Sequence, residues 1–134
     1  MSKKLYLDTN IWLDYCLKSQ DITPLDEYAN HIFERALNCE FSIVISDIVL
    51  FELERKNFPK DIFTPFIIKN KLIFVSSNND DQKLARVYNV HYPDRLHIHL
   101  AKKHNCDFLV TNDKEMLYLS TDIRIVDSPS FQFS

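Results

Sequence analysis

The chain has 134 residues, 46% of them hydrophobic and 26% charged, which suits one globular domain with a good core and excludes a disordered chain. Its formal net charge is −3, against the basic excess usual in nucleic-acid binders, although acidic metal ligands lower the total without removing a basic rim. Glycine is absent, which excludes a P-loop and a dinucleotide fingerprint, since both need backbone to approach phosphate closely.

In chain order, Met1-Ser2-Lys3-Lys4 runs into an apolar segment too short for a signal-peptide core, so the chain is expected to stay in the cytoplasm. No apolar run approaches the roughly 18–20 residues of a membrane span, so no membrane is expected as a partner. Lys4–Asp8 reads as a first strand, and Leu25, Ala29, Ile32, Phe33, Ala36 and Leu37 then fall on one helical face. Phe41–Ile45 reads as a second strand, followed by a helical stretch from Ser46 to Leu53, where Ser46 suits a helix cap. Lys71–Val75 is a third strand, and Leu96, Leu100 and Ala101 form the next helical stripe. Asp107–Val110 and Asp122–Val126 complete five strands, short and mostly rich in Ile, Val, Leu and Phe as buried parallel strands are.

Asn38, Asn70 and Asn105 each stand just before a strand. Asparagine is the best substitute for glycine at a left-handed helix end, so these three mark helix-to-strand returns. Alternation of this kind predicts an α/β fold, a mainly parallel sheet covered by helices on both faces, in one domain over 1–134. Cys16, Cys39 and Cys106 are odd in number and widely spaced, so they read as reduced core or near-core residues.

Open parallel sheets bind ligands beyond the carboxyl ends of their strands, so the polar residues that follow each strand carry the functional question. Asp8 closes the first strand. Glu52 lies four residues after Ile48 and three after Val49, on the apolar side of its helix, where a carboxylate needs a partner or a metal. Asp94 follows Pro93 and opens the next helix, and Asp113 follows the fourth strand in Thr111-Asn112-Asp113. Each has a plainer reading: a loop carboxylate or cap for Asp8, an ion pair with Lys56 for Glu52, a helix-dipole charge for Asp94, a turn with an Asn112/Glu115 capping box for Asp113. Gathered at one sheet edge, the four would repel strongly and call for a hard, oxygen-binding cation, Mg²⁺ or Mn²⁺. Such a cation is the equipment of phosphodiester hydrolysis.

Leu7-Asp8-Thr9-Asn10, Ser46 to Leu53, Asp94 with Leu96 and Ala101, and Cys106 to Asp113 together resemble the PIN domain in order and spacing, over nearly the whole chain. The resemblance implies a helix–sheet–helix sandwich and a metal-dependent ribonuclease acting on RNA. By that resemblance Asp8, Glu52, Asp94 and Asp113 match the acidic metal site, Asn10 the polar residue after the first acid, and Thr111 the hydroxyl before the last. It also implies a toxin of a toxin–antitoxin pair, with an antitoxin protein as partner and a homodimer as assembly. One departure is that small residues often follow the third acid in this family, whereas here the run is Arg95-Leu96-His97-Ile98-His99-Leu100. His97 and His99 are two apart, face different directions on a helix, and read as surface or packing residues.

Two other classes compete. One is a non-catalytic RNA- or protein-binding module on the same fold, or an RNA-processing nuclease that is not a toxin. The other is a different phosphate enzyme, but a dehalogenase-like phosphatase needs an acid where Asn10 stands, and a receiver domain needs one where the third strand ends in Ser76-Ser77-Asn78. Arg55, Lys56, Lys60, Lys102, Lys103 and Lys114 are candidates for the phosphate backbone. Trp12, Tyr15, Phe51 and Phe58 are candidates for base stacking, core or a dimer interface.

Overall fold

The structure, a computed structural model, describes residues 3–17, 25–87, 92–119 and 122–131. Strand β1 (Lys3–Leu7) leads into α1 (Thr9–Leu17), and α2 (Leu25–Leu37) into β2 (Phe41–Ser46). Helix α3 (Asp47–Arg55), a 3-10 turn (Lys60–Phe63) and α4 (Thr64–Ile68) cross to β3 (Leu72–Val75). Helices α5 (Asn79–Arg86) and α6 (Tyr92–Lys103) return to β4 (Phe108–Val110), then follow α7 (Lys114–Leu117), β5 (Arg124–Val126) and α8 (Ser128–Phe131). All five expected strands form, with ends moved by a residue or two; Asp8, for one, falls just outside β1. The expected α/β architecture is thus present.

The sheet order is β3-β2-β1-β4-β5, with every pairing parallel. The chain winds outward from β1 to β3, then crosses back to lay β4 on the other side of β1. Right-handed crossovers on the two sides of β1 place their helices on opposite faces. Accordingly α2 packs against α1, α4 and α8, while α5 pairs with α6. The reversal between β1 and β4 is a topological switch point, where the loops leaving the two strands diverge and open a crevice. Leu7 pairs with Val110, so Asp8 and Thr111 emerge side by side at that crevice.

Aromatic rings fill one side of the sheet. Trp12 is fully buried, with ring centroids 4.7 Å from Phe33, 5.1 Å from Phe63 and 6.1 Å from Phe66. Phe58 joins this cluster and Tyr15 stacks on Phe33 at 4.2 Å, so Trp12, Tyr15 and Phe58 are core rather than base-stacking residues, whereas Phe51 is exposed.

Helix ends show how a chain without glycine turns. Asn70 and Asn105 take left-handed backbone, with φ of 57° and 58°. In each, the residue after the asparagine donates its N–H five residues back (Lys71 to Phe66, Cys106 to Ala101), closing a Schellman cap. Asn57 does the same after α3. Asn38 does not: its N–H still bonds Glu34 in helical fashion, and Cys39 takes the left-handed position at φ 65°. The helix runs one residue further than the asparagine signal indicated, and Glu40 donates its N–H five residues back to Arg35, closing the Schellman cap around Cys39. Cys39 is also exposed, not near-core; Cys16 and Cys106 are partly buried, all three thiols are free, and burial pushes the Cys106 thiol up to about 12. No helix among the described residues is long and apolar enough to cross a membrane.

Candidate active site

Ser46 ends β2 and caps α3, its Oγ accepting the Val49 N–H at 3.2 Å, so the helix starts directly at the carboxyl edge of the sheet. Glu52, in the second turn of α3, is thereby carried over the crevice. Asp94 stands in the first turn of α6 and Asp113 caps α7, its Oδ1 accepting the Glu115 N–H at 3.0 Å. The cap is therefore Asp113 itself, not the Asn112/Glu115 box. Asp8, Glu52, Asp94 and Asp113, on four different segments, line one cleft of about 260 Å³ together with Thr9, Asn10, Leu13, Lys56, Pro93 and His97.

Asp8 is the most deeply held of the four, at 6% exposure. Its Oδ1 accepts the Thr9 N–H at 2.8 Å; its Oδ2 accepts the Thr111 hydroxyl at 2.8 Å and the Asn10 amide at 3.3 Å. Thr111 is fully buried and stands behind the cleft rather than facing it. Its Oγ1 also accepts from Asn10 Nδ2 and from the Asp113 N–H, so this one hydroxyl ties three of the sequence candidates together.

The loop after β4 is locked further by Asn112. Its N–H donates to Asn10 Oδ1, its Nδ2 to Asp14 Oδ2, and its Oδ1 accepts from Ser128 N and Oγ. Burial raises the Asp14 carboxyl above its usual range, with the Asn112 amide working the other way.

Glu52 does not pair with Lys56. Its Oε1 lies 3.0 Å from His97 Nε2, and its Oε2 accepts the Thr9 hydroxyl at 2.9 Å. His97 is 2% exposed and its Nε2 is also 3.7 Å from Asp8 Oδ1. Of the two readings of His97, surface or packing, burial excludes the surface one, and the residue points at the acids; the signal is present in its spacing, three residues after Asp94 and so on the same face of α6. His99 does face elsewhere, bonding Asp81 at 2.7 Å. Burial disfavours a charged His97, but the Glu52 hydrogen bond and the charges of Asp8, Glu52 and Asp94 outweigh it, so its pKa is raised. Burial also works against a charged Glu52; the His97 hydrogen bond and charge and the Thr9 hydroxyl outweigh it, and the Glu52 pKa lies below its ordinary value. Thr9 and His97, both absent from the sequence candidates, are thus direct partners of the acids.

Of the basic candidates, Lys56 lines the cleft and makes no ion pair among the described residues. Lys102 pairs with Asp122 and Lys103 with Asp81, so those two are already engaged. Arg55 lies over the Phe51 ring at 5.7 Å, and Lys60 lines a second cavity. That cavity, about 670 Å³ between α3, the 3-10 turn and α4, is the larger of the two. Its walls are mainly Leu50, Leu53, Phe58, Phe63 and Ile67, with none of the clustered acids, so the chemistry points to the smaller cleft.

The donor set of the cleft is carboxylate oxygen, the chemistry that suits a hard divalent cation. Among the described residues no three acidic, histidine or cysteine side chains converge closely enough to grip an ion as they stand.

Residues 4–115 match the sequence profile of the PIN domain, and the chain belongs to the PIN-domain family. Several solved structures share the fold, among them the following two. VapBC2 from Rickettsia felis, bound to a DNA fragment from its promoter, aligns at 18% identity and a TM-score of 0.60, covering 92% of this chain and 98% of that one. VapC20 from Mycobacterium tuberculosis, a toxin that cleaves the sarcin–ricin loop, aligns at 14% identity and a TM-score of 0.59, covering 84% and 92%. No curated protein sequence matches the chain.

Proposed function

We propose that the chain is a metal-dependent endoribonuclease that hydrolyses RNA phosphodiester bonds at the Asp8–Glu52–Asp94–Asp113 cleft. The observation that carries this reading is that the four carboxylates come from four separate segments of the chain and line one cleft at the switch point of the sheet. Membership of the PIN-domain family supports it. Asp8, Glu52, Asp94 and Asp113 are the residues that would hold Mg²⁺ or Mn²⁺, drawing together from the positions described above. When bound, such a cation supplies positive charge opposite a transition-state phosphate and makes a water molecule more acidic.

The chain's own residues do the rest. Thr111 and Asn10 hold Asp8 by its Oδ2, and Thr9 holds Glu52, which restrains the directions these two carboxylates take. Lys56, at the rim one turn after Glu52, is placed to attract the phosphate backbone and offsets the local negative charge.

The nearest biological reading is a toxin held in check by an antitoxin protein, supported by the likeness of the fold to VapBC2 and the VapC20 toxin. The homodimer rests on the PIN resemblance and the aromatic content of the chain. The test is incubation of structured and unstructured RNA with the protein in Mg²⁺, in Mn²⁺ and in chelator. Cleavage that needs the cation is the expected result. Cleavage unaffected by chelator would refute metal dependence, and no cleavage of any RNA would favour a binding module.

A further inference from the structure

A line of side-chain hydrogen bonds runs from the end of β2 to the cleft. Ser46 Oγ lies 2.7 Å from the Tyr6 hydroxyl, that hydroxyl 2.6 Å from His97 Nδ1, and His97 Nε2 3.0 Å from Glu52 Oε1. Ser46 and Tyr6 are fully buried. Chemistry sets the direction of the last link: a carboxylate only accepts, so His97 Nε2 carries the proton and donates it.

Burying an imidazole is unfavourable unless both nitrogens are satisfied, and an apolar residue at this position of α6 would carry no such requirement. Both nitrogens are satisfied here, and asymmetrically. Nδ1 is anchored to Tyr6 in the central strand of the sheet, while Nε2 reaches a carboxylate that is partly open to the cleft. Core packing does not need that arrangement; aiming a carboxylate does. A glutamate has three side-chain torsions, and each one left free lowers the fraction of time its oxygens point usefully.

We propose that His97 is the positioning residue for Glu52, held through Tyr6 by the sheet and fixing the direction of the Glu52 carboxylate at the mouth of the cleft. Its catalytic consequence rests on the nuclease reading; its geometry does not.

Three variants and two measurements test it. His97→Phe keeps a ring and drops the donor. His97→Gln restores an N–H near the Nε2 position. Tyr6→Phe removes the anchor. In ¹⁵N-edited spectra of the metal-free protein, His97 Nε2 is expected to carry a proton protected from exchange with water, with that protection reduced in Tyr6→Phe. In RNA cleavage, His97→Phe is expected to lose about 10–100-fold in kcat with KM little changed, the range seen when outer partners of a ligand are removed, and His97→Gln to recover most of it.

A folded His97→Phe that cleaves like wild type overturns the proposal. So does a wild-type Nε2 without a protected proton, whether or not the protein cuts RNA. If wild type cuts no RNA, the nuclease reading fails while the spectra still decide the positioning. If His97→Phe does not fold, the other two variants decide. Near-wild-type cleavage in His97→Gln with lost protection in Tyr6→Phe supports the proposal, and losses that simply track melting temperature in both overturn it.

Discussion

Cys39 sits in left-handed backbone, where a β-carbon costs about 1–2 kcal/mol. Its side chain is exposed and free, so nothing in the core depends on it. Cys39→Gly is therefore expected to stabilise the protein by about 1 kcal/mol after the added freedom of the unfolded chain is deducted, as urea melts would show. An unchanged or lowered midpoint would contradict the Schellman account of that turn. Asn112 is the opposite case, a small side chain with three hydrogen bonds, joined by one from its own backbone N–H, that hold the loop bearing Asp113. At this scale the sequence speaks through spacing. Asp8 and Asp113 are legible because each follows a strand, and Asn10 through the PIN resemblance, whereas the informative neighbour of His97 is Asp94 three residues back and not His99 two residues on. Tyr6 carried no sequence signal, because a tyrosine in a buried strand reads as core until its hydroxyl partner is known.

Helices α5 and α6 are joined by a second acidic centre that serves structure. Asp81 is 3% exposed, closes a capping box with Asn78, and accepts hydrogen bonds from Lys103 and His99 of α6. Burial works against its charge, but the Asn78 backbone N–H, Lys103 and His99 outweigh it and hold its pKa at about 2. A folded value below the ordinary 3.8 means the charged form favours the fold. That contribution is complete above about 3.8 and is lost as pH falls through about 2. Asp81→Asn is expected to cost about 1.5–3 kcal/mol at neutral pH, the worth of hydrogen bonds to a charged group, and to flatten the acid limb of the stability profile between those values. A thermal-melt series from about pH 5 to about pH 2 with identical slopes for both proteins would refute this role. On α3, Ser46→Ala removes a helix cap and the partner of the Tyr6 hydroxyl, so its cost is expected to exceed the typical ~1 kcal/mol of a cap alone. Helices α1, α4 and α5 are not legible from apolar runs and stripes, whereas the five strands and helices α2, α3 and α6 are. Helix ends were less so: the Asn signal worked at Asn70 and Asn105, missed Asn57, and at Asn38 pointed one residue short of the true turn.

Across the whole molecule, function follows from sheet order. Only because β4 returns beside β1 do Asp8 and Thr111 meet, 103 residues apart, at 2.8 Å. Alternating strands and helices indicate the parallel sheet, yet single-sequence periodicity does not say which strand lies beside which; the PIN resemblance groups the four acids without giving that order. The aromatic cluster around Trp12 holds α1, and with it Asp8's loop, against α2 and the 3-10 turn, so Trp12→Ala is expected to cost about 3–5 kcal/mol. Light scattering at micromolar concentration is expected to show a homodimer, and a monomer would remove that part of the reading. The central claim, that Asp8 works as a charge for a cation, is tested most directly in Asp8→Asn by measuring melting temperature and single-turnover RNA cleavage on the same preparation. Asn keeps one acceptor oxygen and relieves carboxylate repulsion, so the fold should lose no more than about 1–2 kcal/mol. Cleavage should fall by about 10²-fold or more, as when other groups that stabilise transition-state charge are removed. Full cleavage by a folded Asp8→Asn protein would contradict the metal-nuclease account.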